Sequence, residues 1–285
     1  MKKLMDRLLK LDRRWTFLAI GISAVLPFLF PIGLAIHPSK EVQQVFDHVQ
    51  ALKGTGKPLV ISFDFDPGTD AEVGPMAIAL MDHAFLNNVP VLGLNFIYTG
   101  TSLAEIHIKK AAEKHGKEYG IDYVFLGFKT AFPNVMINMS KDIRLSFNAD
   151  YYNKPIGDLP MMRKIKNYDD FGFTIGLGGT RMVEYWIIYG VGPYDFDYAI
   201  GCTAVMASDY YPYIQTGQSK GIIGGMKGAA EYEQLLLDAG LTETLGDAAM
   251  GLDSQSLCHL VVIGFIVLGN IAYFGEQRRK RKARQ

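Results

Sequence analysis

The chain predicts an α/β fold: a doubly wound, mostly parallel sheet of about five strands, flanked by two single transmembrane helices. Three observations predict it. Short apolar runs alternate with helical stretches, and the runs are apolar on both faces, as strands of a covered parallel sheet must be. The first run, Leu59 to Phe63, ends in Asp64, Asp66 and Asp70 around a Pro67-Gly68 turn, the layout of a strand–loop–helix unit. Two uncharged stretches, Trp15–Ile36 and Leu257–Phe274, bracket everything between them.

The elements follow in order. Ser39 to Leu52 places Val42, Val45, Phe46, Val49 and Leu52 at helical spacing, with Ser39 as the cap. Gly54 to Lys57 breaks that helix before a strand over 58–64. A helix over 72–87 leads to a second strand, Val89–Ile97. Thr99-Gly100-Thr101 turns into a helix reaching Lys117, and a third strand runs Tyr123–Phe128. Pro133–Ile143 reads as helix, and Ala149–Lys164, with two prolines and adjacent tyrosines, as a surface excursion. Asp169–Ile175 is a fourth strand, Gly176–Thr180 a turn, and a helix follows to Tyr189. Tyr198–Met206 reads as a fifth strand. Gly221–Asp238 begins glycine-rich and becomes amphipathic, and a helix over 242–252 feeds the second apolar stretch.

The two uncharged stretches set the organisation. Trp15–Ile36 is 22 residues, enough to span a bilayer, and Leu257–Phe274 is 18, near the lower limit. The first is longer than a signal-peptide core and no A-x-A site follows it, so it reads as an anchor. Lys2, Lys3, Arg7, Lys10, Arg13 and Arg14 precede it, and a block from Arg278 to Arg284 follows the second. Basic flanks stay cytoplasmic, so both tails are expected in the cytoplasm at the plasma (inner) membrane. The expected boundaries are a basic tail over 1–14, a transmembrane helix over 15–36 and an extracytoplasmic α/β domain over 37–255. A second transmembrane helix over 256–275 and a basic tail over 276–285 complete the chain.

The formal net charge of zero hides an asymmetry, because the central region keeps 17 basic and 26 acidic residues. An acidic domain excludes a nucleic-acid partner and is compatible with cation binding. Cys202 and Cys258 are the only cysteines, with neither a disulfide framework nor a CxxC metal pattern.

Chemistry concentrates at the end of the first strand, where α/β sheets bind ligands. Asp64, Asp66 and Asp70 would repel one another unless a cation or a proton intervened. Alternatively Asp70 or Thr69 caps the helix, Glu72 favours its positive end and Pro67-Gly68 makes the turn. The segment Asp64-Phe-Asp66-Pro67-Gly68-Thr-Asp70 resembles the first motif of the inosine–uridine nucleoside hydrolases over about 45 residues. The resemblance implies a Ca²⁺ cofactor held by Asp66 and Asp70, with Asp70 also the catalytic carboxylate that activates water. It departs at Ala71, where the family has a second acid, and at Thr101, where it has Asn. The late Asp of the family's metal site has no counterpart.

Other residues fall near the same end of the sheet. Asp64, Thr99 and Thr101 are candidate ligand-binding residues. Gly176, Gly178, Gly179 and Thr180 form a glycine pattern between strand and helix that can present N–H groups to an anion or simply turn the chain. His107 and Glu105 lie on a helix near enough to reach the acids. Gly201-Cys202-Thr203 lacks a nearby histidine and reads as buried strand. The tyrosines at 151, 152, 210, 211 and 213 suit a protein interface. The expected function is binding or homo-oligomeric assembly by a membrane-anchored domain. The alternatives are a metal-dependent hydrolase of small polar substrates and a solute-binding domain using the same cleft.

Overall fold

The computed structural model describes residues 12–30 and 32–282. Lys2, Lys3, Arg7 and Lys10 of the expected basic tail lie outside the described residues. The chain divides into two compact units, Ile36–Ala249 and a second one built from the segments through Ala35 and from Met250 onward.

In chain order, α1 (Arg13–Leu29) belongs to the second unit and is followed by α2 (Lys40–Gln50) and β1 (Leu59–Asp64). Next come α3 (Asp70–Leu86), β2 (Val91–Asn95), α4 (Thr101–Lys114), β3 (Tyr123–Phe128) and α5 (Phe132–Met139). Short 3₁₀ turns between 143 and 170 lead to β4 (Phe173–Gly178), α6 (Met182–Trp186), a π-turn (Ile187–Val191) and α7 (Gly192–Tyr194). The remainder is β5 (Tyr198–Cys202), α8 (Ala204–Gln215), β6 (Ile222–Gly224), α9 (Gly225–Asp238) and α10 (Asp247–Lys282).

The six strands form one parallel sheet in the order β3-β2-β1-β4-β5-β6, a Rossmann-like arrangement. Chain direction across the sheet reverses between β1 and β4, and ligands of such sheets bind at that switch point. Every residue of β1, β2, β4 and β5 is buried. Side chains alternate between the faces. Val60, Leu92, Leu94 and Val124 pack with Trp186 and Met136 in one cluster. On the other face Gly93 lies so close to α4 that a Cβ there would stand 2.4 Å from Ile108 Cδ1.

The structure corrects several expected elements. Among the described residues the sheet has six strands where about five were expected: Ile222–Gly224 pairs with β5, a strand too short to show a period. β5 stops at Cys202, and Ala204 to Met206, expected as strand, opens α8. β4 runs Phe173–Gly178, so Gly176 and Gly178 are strand residues rather than loop. The helix expected after Thr180 breaks into α6, the π-turn and α7.

The expected pair of flanking spans also changes. Among the described residues one helix is long and apolar enough to cross a membrane, the 32-residue Asp247–Arg278 stretch of α10. α1 has 17 residues and ends at Leu29, short of the expected Ile36. Pro31 explains the stop, because a following proline disfavours the α conformation and Phe30 sits at φ −137°, ψ 86°.

Candidate functional site

Three loops meet at the carboxyl ends of β1, β2 and β4, and they are packed on one another rather than spread around an open crevice. A Cβ at Gly100 would fall 1.8 Å from Phe65 O, one at Gly178 2.8 Å from Asp64 O, and one at Gly179 2.4 Å from Thr69 Cγ2. Each glycine is required by a close backbone approach.

The acids divide into four separate jobs. Asp64 is wholly buried; Oδ1 accepts the Phe96 N–H (2.7 Å) and Oδ2 accepts the Ser62 hydroxyl (2.5 Å), tying the ends of β1 and β2. Burial pushes its carboxyl up to about 6, against the opposing pull of those two hydrogen bonds. Trp186 pulls the same way as the hydrogen bonds, although its indole N–H reaches hydrogen-bond geometry with no described atom.

Asp66 is spent on its own turn. Its Oδ1 accepts from Gly68 N (3.0 Å), Thr69 N (3.1 Å) and Thr69 Oγ1 (3.1 Å), the Asx geometry that Pro67-Gly68 demands. Glu72 reaches across to accept the Ala204 N–H at 2.7 Å, filling the cap that Thr203 leaves open at the start of α8. Asp70, in the first turn of α3, accepts from His107 Nε2 of α4 at 2.7 Å. The carboxylate folds back over its own helix to do so: a Cβ at Gly74, one turn on, would stand 2.5 Å from Asp70 Oδ1 and 3.2 Å from His107 Nε2. The pair is partly open, with side-chain exposures of 28% for Asp70 and 13% for His107.

This donor set does not fit a calcium centre. Such a site needs six or more oxygens, whereas Asp66 commits one carboxylate oxygen to its own turn and Asp64 is turned inward. Among the described residues no three His, Cys, Asp or Glu side chains group to hold a metal.

The other expected ligand-binding residues are placed as follows. Thr99 is exposed on the 3₁₀ turn before α4. Thr101 Oγ1 donates to Tyr98 O (2.9 Å) and accepts from Asn95 Nδ2 (3.1 Å), bracing that turn. Gly176 accommodates Tyr198, whose Oη would be 2.2 Å from a Cβ there. Thr180 Oγ1 accepts the Met182 N–H at 3.3 Å, and α6 has only five residues, so the glycine pattern serves packing. Cys202 is buried in β5 and its thiol is pushed up to about 12 by that burial, which makes it inert.

Sequence reasoning placed His107 near the acids and missed the Glu72–Ala204 and Ser62–Asp64 pairs. Ser62 and Asp64 are two residues apart on one strand and so share a face, a signal present in the sequence. Glu72 and Ala204 are separated by 132 positions and carry none.

Of two cavities in the α/β unit, only one adjoins these loops. One of about 520 Å³ lies among α3, α4, α9 and the 241–247 segment, where Asp82 is already paired with Lys114 (2.6 Å) and His115 (2.7 Å). The other, about 410 Å³, opens at the carboxyl ends of β2 and β3 beside Thr101. Compared with models of protein families, with curated proteins and with solved structures, the chain matches none.

Proposed function

We propose that the chain is a membrane-anchored, extracytoplasmic α/β domain that works by binding or homo-oligomeric assembly. The observation that carries this reading is α10. Its apolar stretch is only 6% buried, and Leu260, Ile263, Ile266 and Phe274 stand exposed along it, the surface expected of a lipid-facing helix.

The partner of α10 within the same unit supports a second membrane passage. Ser23 Oγ lies 3.3 Å from Cys258 Sγ, and Ser254 Oγ donates to Ala24 O at 2.8 Å. Asp253 accepts the N–H groups of Ile32 (3.1 Å), Gly33 (2.9 Å) and Leu34 (3.3 Å), the non-helical residues after α1. Polar groups turned inward, with Trp15, Phe17 and Phe28 of α1 turned outward, are the pattern of helices packed in lipid. At about 1.5 Å per residue α1 is a few ångströms short of the hydrocarbon core, so it would cross with its flanking residues at the interface.

Alkaline washing of membranes from expressing cells, followed by mass measurement in detergent, tests the reading. The protein is expected to stay with the membrane and to run as a multiple of the 31.7 kDa chain. Release by the wash, or a plain monomer, contradicts anchoring or assembly respectively.

A second reading is hydrolysis of a small polar substrate, in line with the resemblance to nucleoside hydrolases. The Asp70–His107 pair favours it, since His107 fixes the orientation of a part-exposed carboxylate at the strand-end face. With inosine or uridine as substrate, Asp70→Asn should abolish turnover while the domain stays folded. Unchanged turnover removes Asp70 from the reaction.

A further inference from the structure

The cleft at the ends of β2 and β3 is lined by Tyr98, Thr101, Lys129, Asn148, Tyr151 and Asn153. Tyr98 is 75% exposed, and its ring stands at 71° to Phe128 with centroids 5.5 Å apart. Tyr151 forms another wall, leaning on Phe125 (5.2 Å) and on Tyr152 (5.2 Å, 77°).

The loop that carries Tyr151 is held before any ligand arrives. Asp150 accepts the Tyr119 hydroxyl (2.5 Å) and the Lys154 N–H (2.8 Å), and its own N–H donates to Lys154 O (2.9 Å). Tyr151 N donates to Phe125 O (3.0 Å), which fastens the loop to β3. The Tyr152 hydroxyl donates to Glu105 Oε1 on α4 (2.7 Å). Gly127, at φ +76° inside β3 where the pairing with β2 shifts register, leaves room for the loop: a Cβ there would stand 3.3 Å from the Tyr151 ring. Asn153 takes φ +62°, a conformation that costs a non-glycine residue and closes the loop. Rings fixed in this way bind without losing rotamer freedom.

From this arrangement we infer that the cleft is a saccharide-binding site. The tyrosines offer apolar ring faces, and Asn148, Asn153, Thr101 and Lys129 offer donors and acceptors around them, the mixture that matches a pyranose with C–H faces and a hydroxyl edge. Tyr98 and Phe128, both in the lining, stand edge to face at 71° rather than stacked. Lys129 is the single cation of the lining and lies 5.5 Å over the Phe147 ring, which does not suit a polyanion. The inference rests on the binding half of the proposed function and is independent of membrane anchoring, so either can fail alone.

The test uses the full chain in a polyoxyethylene detergent, since sugar-headed detergents would compete. Oligosaccharides of glucose and of N-acetylglucosamine are presented at millimolar concentration and read by saturation-transfer NMR, with inosine alongside. Transfer to the ring C–H protons of at least one saccharide is expected. Titration calorimetry should then give about tenfold weaker binding for Tyr98→Ala and for Tyr151→Ala, because each removes one ring face from beneath the sugar. Tyr98→Phe and the distant Tyr211→Ala should bind as the parent does. No transfer to any saccharide, transfer to inosine alone, or binding that survives both alanine variants overturns the inference.

Discussion

At the scale of single residues, the buried titratable groups make opposing demands on pH. The Asp64 carboxyl sits at about 6 instead of its ordinary 3.8, so folding favours its protonated form. Its contribution is fully present below about pH 4 and is lost as pH rises through 6. His83 behaves in the opposite sense. Burial lowers it from 6.5 to about 3, so its contribution is present above pH 6.5 and lost as pH falls toward 3. Acidification from 6.5 to 4 therefore sets a gain at Asp64 against a loss at His83. Asp64→Asn keeps an acceptor for Phe96 N–H and a donor for Ser62, and removes a buried charge. It should raise stability at pH 7 by on the order of 2–3 kcal/mol, two pKa units converted at 1.36 kcal/mol each. Below pH 6 it should lose stability more steeply than the parent, because the gain at Asp64 is gone; denaturant melts at pH 7 and 4.5 read both effects. A parallel pH dependence in parent and variant would mean that Asp64 is ionised without cost.

Gly74 makes a second case at this scale. Alanine in a helix interior ordinarily gains about 1 kcal/mol over glycine. Here the methyl would displace the Asp70 carboxylate from His107, so Gly74→Ala should gain little or nothing. In the Asp70→Ala background the same substitution should recover the full gain. A double-mutant cycle by urea unfolding checks this, and additivity would show that the pair does not depend on Gly74.

At the scale of elements, α2, α3 and α9 are joined by a buried polar network on the face of the sheet away from Trp186. His83 Nε2 donates to Gln50 Oε1 (2.7 Å), which fixes the tautomer, so Nδ1 accepts from the Tyr232 hydroxyl (2.7 Å). Asn87 Nδ2 adds a bond to the same Gln50 oxygen at 3.1 Å, and Phe46 stacks on the imidazole at 4.3 Å. Tyr232→Phe keeps the packing and leaves Nδ1 unpaired. It should cost about 1–3 kcal/mol and speed amide exchange in α2 and α9 more than in the strands. Uniform exchange would show that the three helices do not form one cooperative element.

The same scale shows what the sequence could carry. β1 and β3 were legible to within a residue because each is a short, mainly apolar run bounded by loop residues. β6 was not, since three residues with a glycine give no periodicity to read. The end of β5 was overshot because Ala204-Val205-Met206 is as compatible with the first turn of a helix as with a strand. At the site, the acids' position at the end of β1 followed from the Pro67-Gly68 turn. Their separate uses did not, because Phe96 N, His107 and Ala204 N come from three other loops and helices. Charge clustering in sequence pointed to a shared cation or a proton, whereas Asp64, Asp70 and Glu72 each have a tertiary partner and Asp66 bonds its own turn.

At the scale of the molecule, the distribution of apolar surface is decisive. The α/β unit buries Phe63, Phe65, Phe125, Phe173, Trp186 and Tyr198 in its core, while α1 and α10 turn most of their large apolar side chains outward and keep Ser23, Asp253 and Cys258 between them. Asp253→Ala would leave the N–H groups of Ile32, Gly33 and Leu34 without their acceptor. In lipid such groups cost several kcal/mol, so the variant should fall sharply in membrane yield, whereas in water solvent would replace the carboxylate at little cost. Quantitative immunoblotting of membrane fractions distinguishes the two.

The most direct measurement is the topology of the intact protein. Two variants, Thr130→Cys in the α/β unit and Arg281→Cys after the apolar stretch, are labelled in whole cells with a membrane-impermeant maleimide. Cys202 is buried in the core, and a parent control sets the background from Cys258. An anchored, extracytoplasmic domain predicts that the cysteine at 130 is labelled at once and the one at 281 only after permeabilisation. Labelling of 281 with protection of 130, or equal labelling of both in sealed cells, would contradict that topology.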